Sequence, residues 1–518
     1  MLRIFQNDIE DPQRFVVTLE LVPGRESSGR SVDTVMAIAK DAFADGRVSA
    51  VSITDNPGGN PSLSPDAIGS RIFSLGMDVI VHFTCRDANR VGMESRALQL
   101  AMMGMKNILA LSGDYSGKGF GGQGAPVFDL DAVTLQIMLM FISRRINSTG
   151  DPDGFFAGCA VSPFKQTEGE TMAQYAKLSR KVAAGARFII TQLGYDARKF
   201  AELIAIQRHM DLRIPTLGSI YLLTPKAARI MNRGRIPGAV VPDALLQTVE
   251  REWRDEKRGQ AAAIERAAAL GAVLQGLGYR GIHLSGIHRD FSTAGLILDR
   301  MAQIRNNWQE WLPRFNFPQP GGFYAFREWP PTPATTPRFG LHPQKPPFFD
   351  RLIYPAMRRA HDLFFNFESP LAPLFASVCR SMDTGTAGRL LMHLAEHPIK
   401  RLLLGCVQCG DCAIQYVGFL CPESGCPKHT RNGACGGSSL GMCEVNAERP
   451  CVWFRAHQRL TTAGSLEQLC DACVPPRMWE LNQSSSWVNF HLRRDHQSSG
   501  GEIAGFCRQA ACRLLTRS

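Results

Sequence analysis

The sequence predicts an α/β chain in which a (β/α)8 barrel is followed by a smaller cysteine-rich metal-binding domain. Two observations carry this. Short apolar, β-branched runs recur about every 25–40 residues through the first ~290 positions, separated by charge-bearing, helix-compatible stretches, which is the rhythm of repeated βα units. Twelve of the 15 cysteines then fall between Cys406 and Cys512. At 518 residues and 44% hydrophobic, the chain is long enough for two or three soluble domains with real cores.

The runs occupy residues 15–22, 48–54, 78–84, 107–112, 155–161, 187–193, 214–222 and 281–286. Eight parallel strands close naturally into a barrel. Polar residues collect at their C-terminal ends: Glu20, Thr54 with Asp55 and Asn56, His82 and Thr84, Asp114, Ser162 with Lys165, Gln192, Tyr221, and Ser285 with His288. In a barrel these ends share one face. Polar loops alone explain about half of such positions. Glu20 is different, because it lies within the apolar run Val16-Val17-Thr18-Leu19-Glu20-Leu21-Val22. A carboxylate there is paired, protonated or chemically employed, and perturbed acids concentrate at functional sites.

The 58 Lys+Arg against 47 Asp+Glu give a net charge of +11. Both signs are scattered rather than blocked, which suits a polyanionic ligand and does not point to nucleic acid. The first eight residues form no long apolar run, and later apolar stretches are broken by residues such as Lys106 and Arg144 before they reach membrane-spanning length. The expectation is a cytoplasmic protein with no membrane partner.

The segments Thr18-Leu19-Glu20-Leu21, Val51-Ser52-Ile53-Thr54-Asp55, His82-Phe83-Thr84-Cys85 and Leu111-Ser112-Gly113-Asp114 are each weak signals. In this order, with Arg180-Lys181-Val182-Ala183-Ala184-Gly185-Ala186 leading into Ile190-Thr191-Gln192-Leu193-Gly194-Tyr195-Asp196, the set resembles the barrel of the methylenetetrahydrofolate reductase family. The likeness covers residues 14–305. It implies a flavoprotein oxidoreductase of one-carbon metabolism and methionine biosynthesis, interconverting 5,10-methylenetetrahydrofolate and 5-methyltetrahydrofolate, with FAD or the shorter FMN and with NAD(P)H as a donor. By position, Glu20 matches the acid that helps open the folate's imidazolidine ring to an iminium, and burial beside a flavin should raise its pKa. Asp114 matches the aspartate near flavin and pterin, acting in catalysis and in binding both. Gln192 matches the amide that reads the pterin edge. Thr54, His82 and Lys181 match positions that contact the flavin. A single site used in turn by donor and folate follows from the resemblance.

Two departures stand out. Gly158-Cys159-Ala160-Val161-Ser162-Pro163-Phe164-Lys165 replaces the family's tyrosine- and histidine-bearing flavin loop, and Ser112 stands where an arginine is common. These leave FAD held differently, or FMN, as the expectation. The glycine-rich stretch 117–124 follows the fourth strand and reads as a mobile loop, not as a separate dinucleotide-binding turn.

Residues 306–349 carry ten prolines and read as a semi-extended connector. Helical periodicity returns at 351–367 and 387–394, leading into the cysteine-rich domain at 350–480. Its cysteines are Cys406, Cys409, Cys412, Cys421, Cys426, Cys435, Cys443 and Cys451. Three cysteines at intervals of three plus a distant fourth commonly hold a [4Fe–4S] cluster, so eight ligands suffice for two. Zinc is the rival, since four-cysteine zinc sites use similar pairs and His429 is near. The block, with Asn432-Gly433-Ala434-Cys435-Gly436-Gly437 and Gly441-Met442-Cys443-Glu444, resembles the C-terminal methylenetetrahydrofolate reductase domain, which also occurs as a separate subunit. Iron–sulfur centres there would allow a ferredoxin-like redox protein as electron partner. Cys470, Cys473, Cys507 and Cys512 remain unassigned, the last two in a basic tail at 481–518. The oligomeric state is open, a homo-oligomer included. Two other readings compete with the reductase. One is a folate-binding or methyl-transfer module without efficient flavin redox. The other is an electron-transfer adaptor working through its metal domain.

Overall fold

The computed structural model describes residues 4–148, 154–332, 335–339, 345–470, 473–497 and 501–509. Pro333, Pro343 and Cys512 lie outside them. Each of the eight apolar runs contains one strand: β1 Val16–Leu21, β2 Ala50–Ile53, β3 Val79–Thr84, β4 Asn107–Leu111, β5 Phe156–Val161, β6 Ile189–Thr191, β7 Thr216–Tyr221 and β8 Gly281–Ser285. All pair in parallel and close as β1-β8-β7-β6-β5-β4-β3-β2. The crossover helices start at side-chain caps, Asn89, Thr167, Asp196, Thr224 and Asp255 among them, each worth about 1 kcal/mol. The glycine-rich stretch after β4 forms a two-stranded hairpin, Lys118–Gly119 against Gly122–Gln123.

Alternation along the strands sorts the barrel interior into layers. At the N-terminal end, Val16, Ala50, Ile80, Leu109, Phe156, Ile190 and Leu217 form one apolar cluster with Phe188, and helix Ile4–Glu10 plugs it with Phe5 and Ile9. The Phe5 ring stands edge-on to Phe156 and Phe188, 5.9 and 5.1 Å between centroids. Its backbone N–H is taken by Asp78 Oδ2 at 2.8 Å. Burying Phe5 is worth roughly 2–3 kcal/mol. Phe188 reaches so far inward that a Cβ on Gly158 of β5 would stand 2.3 Å from its ring, which is why the strand carries glycine there. With that end packed shut, the inward residues two and four positions further along each strand open only toward the C-terminal face. These include Thr18, Ser52, His82, Ser219 and His283, then Glu20, Thr54 and Ser285.

Beyond the barrel, helices Phe348–Phe364, Leu371–Asp383 and Thr386–Leu404 lead to the cysteines, the last running through Pro398. The cysteine segment is mostly loop and ends in helix Val452–Thr462. That helix shares a core with the barrel: Trp453, Ala456 and Leu460 join Met172, Tyr175 and Leu178 of helix Glu168–Ala183. Asp131 clamps the junction. Its Oδ2 accepts from the backbone N–H groups of Arg431 and Asn432 at 3.1 and 2.9 Å, while Oδ1 caps helix Ala132–Ser148.

The proline-rich segment is less free than its composition suggests. Phe323 N donates to Gln166 O at 2.8 Å, Ala325 N to Glu202 Oε2 at 2.6 Å, and Arg198 to Phe326 O at 2.8 Å. Residues in the expected tail also pack inward: Asn489 Nδ2 donates to Gly410 O at 2.9 Å, and Ser486 Oγ to Glu396 at 2.7 Å. Among the described residues no helix is long and apolar enough to cross a membrane.

Candidate functional site

The C-terminal face opens into a cavity of about 290 Å³. Glu20, Thr54, His82, Asp114, Lys181 and Gln192 all line it, so the fold brings together the six residues matched by the family resemblance, whereas Asn56, Lys165, Tyr221 and His288 of the strand-end set do not line it.

At its floor Glu20 sits between two histidines. Glu20 Oε2 is 3.6 Å from His283 Nε2, and His283 Nδ1 is 2.8 Å from Thr18 Oγ1. The Thr18 hydroxyl is 3.3 Å from Ile282 O, to which it donates. It therefore accepts from His283 Nδ1–H, which turns Nε2 toward the Glu20 carboxyl. On the other side His82 Nε2 is 2.6 Å from Ser52 Oγ. Glu20, His82 and His283 present ligand atoms within 4.8 Å of one another, but each imidazole is tied to a strand hydroxyl, an arrangement suited to holding protons.

The structure corrects one expectation. Burial does push the Glu20 carboxyl upward, but His283, His82 and His288 together outweigh it, and the net shift is downward. Its side chain is 24% exposed in the open cavity. Burial takes His82 down to about 4, so it is neutral at pH 7. Because its folded pKa lies below the unfolded value near 6.5, the unfolded chain binds the proton first as pH falls. The associated stability is complete above pH 6.5 and is lost between pH 6.5 and 4, up to about 3 kcal/mol. Denaturant midpoints measured from pH 7 to 4.5 should fall across this window, and His82→Asn should flatten the fall. An unchanged profile would show that His82 titrates normally.

Higher in the cavity, Asp114 Oδ2 accepts from Gly58 N at 2.8 Å. Gln192 is already oriented, its Nε2 donating to Pro237 O at 3.0 Å and its Oε1 accepting from Leu193 N at 2.8 Å. Lys181 donates to Ala160 O at 2.6 Å, and burial lowers its pKa to about 8. Thr54 Oγ1, Ser162 Oγ and Gln174 Nε2 line the same space, buried and without partners. Three unsatisfied polar atoms in one cavity call for a polar ligand.

The cavity is not made by the barrel alone. Lys428, Cys435, Gly436, Gly437 and Glu444 complete its wall. Lys428 pairs with Glu444 and donates to Gly113 O at 2.7 Å. Lys165 donates to Gly436 O and to Ser438 O, the latter at 2.6 Å, and Lys177 to Gly433 O at 3.1 Å. Gly437 lies so close to Glu444 that a Cβ there would fall 1.5 Å from its carboxylate. The stretch 433–438 thus lies over the β5 side of the mouth.

Residues 5–301 match the family model described as methylenetetrahydrofolate reductase, and residues 387–480 match the one described as methylene-tetrahydrofolate reductase C terminal. The chain belongs to the methylenetetrahydrofolate reductase family. It is 24% identical over 292 residues to a probable methylenetetrahydrofolate reductase (NADPH) of Caenorhabditis elegans, covering 55% of this chain and 42% of that protein. It is 23% identical over 266 residues to methylenetetrahydrofolate reductase 1 of Schizosaccharomyces pombe, covering 51% and 42%. The chain therefore spans 42% of the length of these relatives. Among solved structures, a protein from Clostridium thermocellum that binds two copies of 5-methyl-5,6,7,8-tetrahydrofolic acid aligns with a TM-score of 0.39 and 11% identity, over 59% of this chain and 99% of its own. A likeness that distant bears on neither substrate nor mechanism.

Within this reductase-family chain the eight block cysteines fall into two groups. Cys406, Cys409, Cys412 and Cys421 line one cavity, beside Lys400, whose Nζ is 3.5 Å from Cys412 Sγ. In the second group Cys435 is within electrostatic reach of Cys426 and Cys451, and Cys451 of Cys426 and Cys443. Cys435 thus belongs both to this group and to the wall of the barrel cavity. Cys473 and Cys507 stand apart from both groups, in a small apolar cluster with Val133, Ile137 and Ala184.

Sequence reasoning missed His283, Lys428 and Glu444. Parity could have found His283, two residues before Ser285 on β8. No local signal marks the other two, since they reach the cavity only by docking.

Proposed function

We propose that this chain interconverts 5,10-methylenetetrahydrofolate and 5-methyltetrahydrofolate at the barrel mouth, with a flavin as redox cofactor. The observation that carries the reading is the Glu20–His283 pair, a carboxyl and an imidazole Nε2 3.6 Å apart at the floor of a cavity whose rim presents Asp114 and Gln192. Asp114 and the oriented amide of Gln192 suit the N–H donors and acceptors of a pterin edge. Glu20 delivers its proton to a folate nitrogen and opens the ring, while the packed floor below keeps water from that side. The unpartnered Thr54 Oγ1, Ser162 Oγ and Gln174 Nε2 fit a flavin's polar edge, and Lys181 fits a phosphate or an anionic ring. When bound, the flavin supplies the hydride. The stretch 433–438 covers the side where the familiar flavin loop is absent, which favours FMN or an unusually held FAD.

The two cysteine quartets fit metal centres, and we read them as [4Fe–4S] sites. What supports this reading is the spacing of Cys406, Cys409 and Cys412 at intervals of three, with Cys421 lining the same cavity. Electrons would then enter from a redox protein through the C-terminal domain, with NAD(P)H as the other donor.

An anaerobic visible spectrum with iron, zinc and sulfide analysis tests both parts at once. Flavin bands with about eight iron and eight sulfide per chain are expected if each quartet holds a four-iron cluster. Zinc without flavin would remove the redox reading and leave a folate-binding or methyl-transfer module.

A further inference from the structure

A second cleft, of about 710 Å³, is lined in part by Leu440, shortly after the stretch that covers the barrel mouth. Its size falls in the range of small-molecule sites. Three parts of the chain meet there: residues 166–169 and Arg198 of the barrel, residues 320–327 of the proline-rich segment, and Leu440 with helix Val452–Thr462 of the cysteine-rich domain.

The chemistry of its wall is specific. Arg198, Arg327 and Arg338 all face it, against the single carboxylate Glu168. Among the described residues none of the three arginines forms an ion pair with a carboxylate. Arg198 is fixed in place, its guanidinium 4.0 Å above the Tyr324 ring and donating to Phe326 O at 2.8 Å. Arg338 is tied by its backbone N–H to Ala325 O at 2.7 Å. Three aromatic rings line the cleft with these cations: Phe323, Phe454 and Tyr324, the last with Arg198 stacked on it. His457 completes the Phe454 side, only 4% exposed, with its Nε2 bonded to nothing. A buried ring nitrogen without a partner is costly unless a ligand uses it.

We propose that this cleft binds a phosphorylated nucleoside, with the base stacked among Phe323, Tyr324 and Phe454, the phosphates on the arginines, and a base or ribose group bonded to His457. Guanidinium forks match phosphate oxygens, and aromatic faces accept any base. A polyanion without a ring would leave the aromatic walls unused, and an uncharged aromatic would leave the arginines unused. Leu440 in this cleft is three residues from Gly437 in the barrel wall, so an occupant would press on the segment that closes the mouth. A free adenine nucleotide and a nicotinamide dinucleotide share the required chemistry.

The test is calorimetric titration of the full-length protein with ADP, adenosine, ATP and NADPH. ADP should bind at one site per chain, and adenosine at least about tenfold more weakly. Arg327 and Arg338 are exposed, so the double variant Arg327→Gln/Arg338→Gln should keep the wild-type unfolding midpoint while losing at least about tenfold in ADP affinity. Glu20→Gln, at the other cavity, should leave ADP binding unchanged. Within the binding that the double variant loses, tighter ATP than NADPH would identify a free nucleotide as the occupant, and the reverse order a dinucleotide. ADP binding no tighter than adenosine, full affinity in the double variant, or loss of binding in Glu20→Gln would overturn it.

Discussion

Glu20→Gln is expected to slow folate reduction by about 10²–10⁴-fold while reduction of the protein by its donor changes by no more than about twofold. The amide keeps the shape of the carboxyl but cannot take up and release the proton that opening the folate ring requires. Only the folate half-reaction uses that proton. The downward net shift of the Glu20 carboxyl means that the open site holds it ionised at neutral pH. The acid form must therefore be reached with folate in place, when the carboxyl loses its contact with water and desolvation gains weight. Stopped-flow measurement of the two half-reactions separates the cases. Equal losses in both would take Glu20 out of the acid's role.

Asp131→Ala is expected to cost about 3–5 kcal/mol and to loosen the cysteine-rich domain from the barrel. Asp131 is 4% exposed. Its removal strands the N–H groups of Arg431 and Asn432, the Asn432 side-chain amide at 3.2 Å, and the cap donors Val133 and Thr134. Asp131→Asn, which keeps one acceptor oxygen, should cost less. Denaturant unfolding reads the loss, and limited proteolysis reads the undocking as faster cleavage between residues 387 and 480. Wild-type stability and cleavage in Asp131→Ala would show that the shared core around Trp453 holds the domain unaided.

The strands were legible because their period-2 patterns are local. Each expected run contains a strand, with ends that coincide or are displaced by up to two residues where pairing stops. Glu20, Asp114, Gln192, Thr54 and His82 were legible as neighbours because strand ends of a barrel must converge, while Lys181, on helix Glu168–Ala183, was legible only through the family resemblance. The direction of the Glu20 shift was not. It depends on His283, which lies 263 positions away and meets Glu20 only because Thr18 of β1 pairs in register with His283 of β8. The connector misled for a related reason. Proline content reports local backbone preference, while Lys199, Glu202 and Arg198 supply partners that no local pattern shows.

What the sequence by itself determined is therefore the barrel, the polar composition of its open face and the presence of eight clustered cysteines, since alternation and ligand spacing are written within a few residues. Only the tertiary structure decided that these cysteines divide into two quartets, that one of them borders the barrel cavity through Cys435, and that Lys428 and Glu444 complete the wall. Those outcomes follow from docking helix Val452–Thr462 and the Asp131 clamp onto the barrel. Docking is set by shape and buried hydrogen bonds between residues some 300 positions apart, at a range where periodicity carries no information.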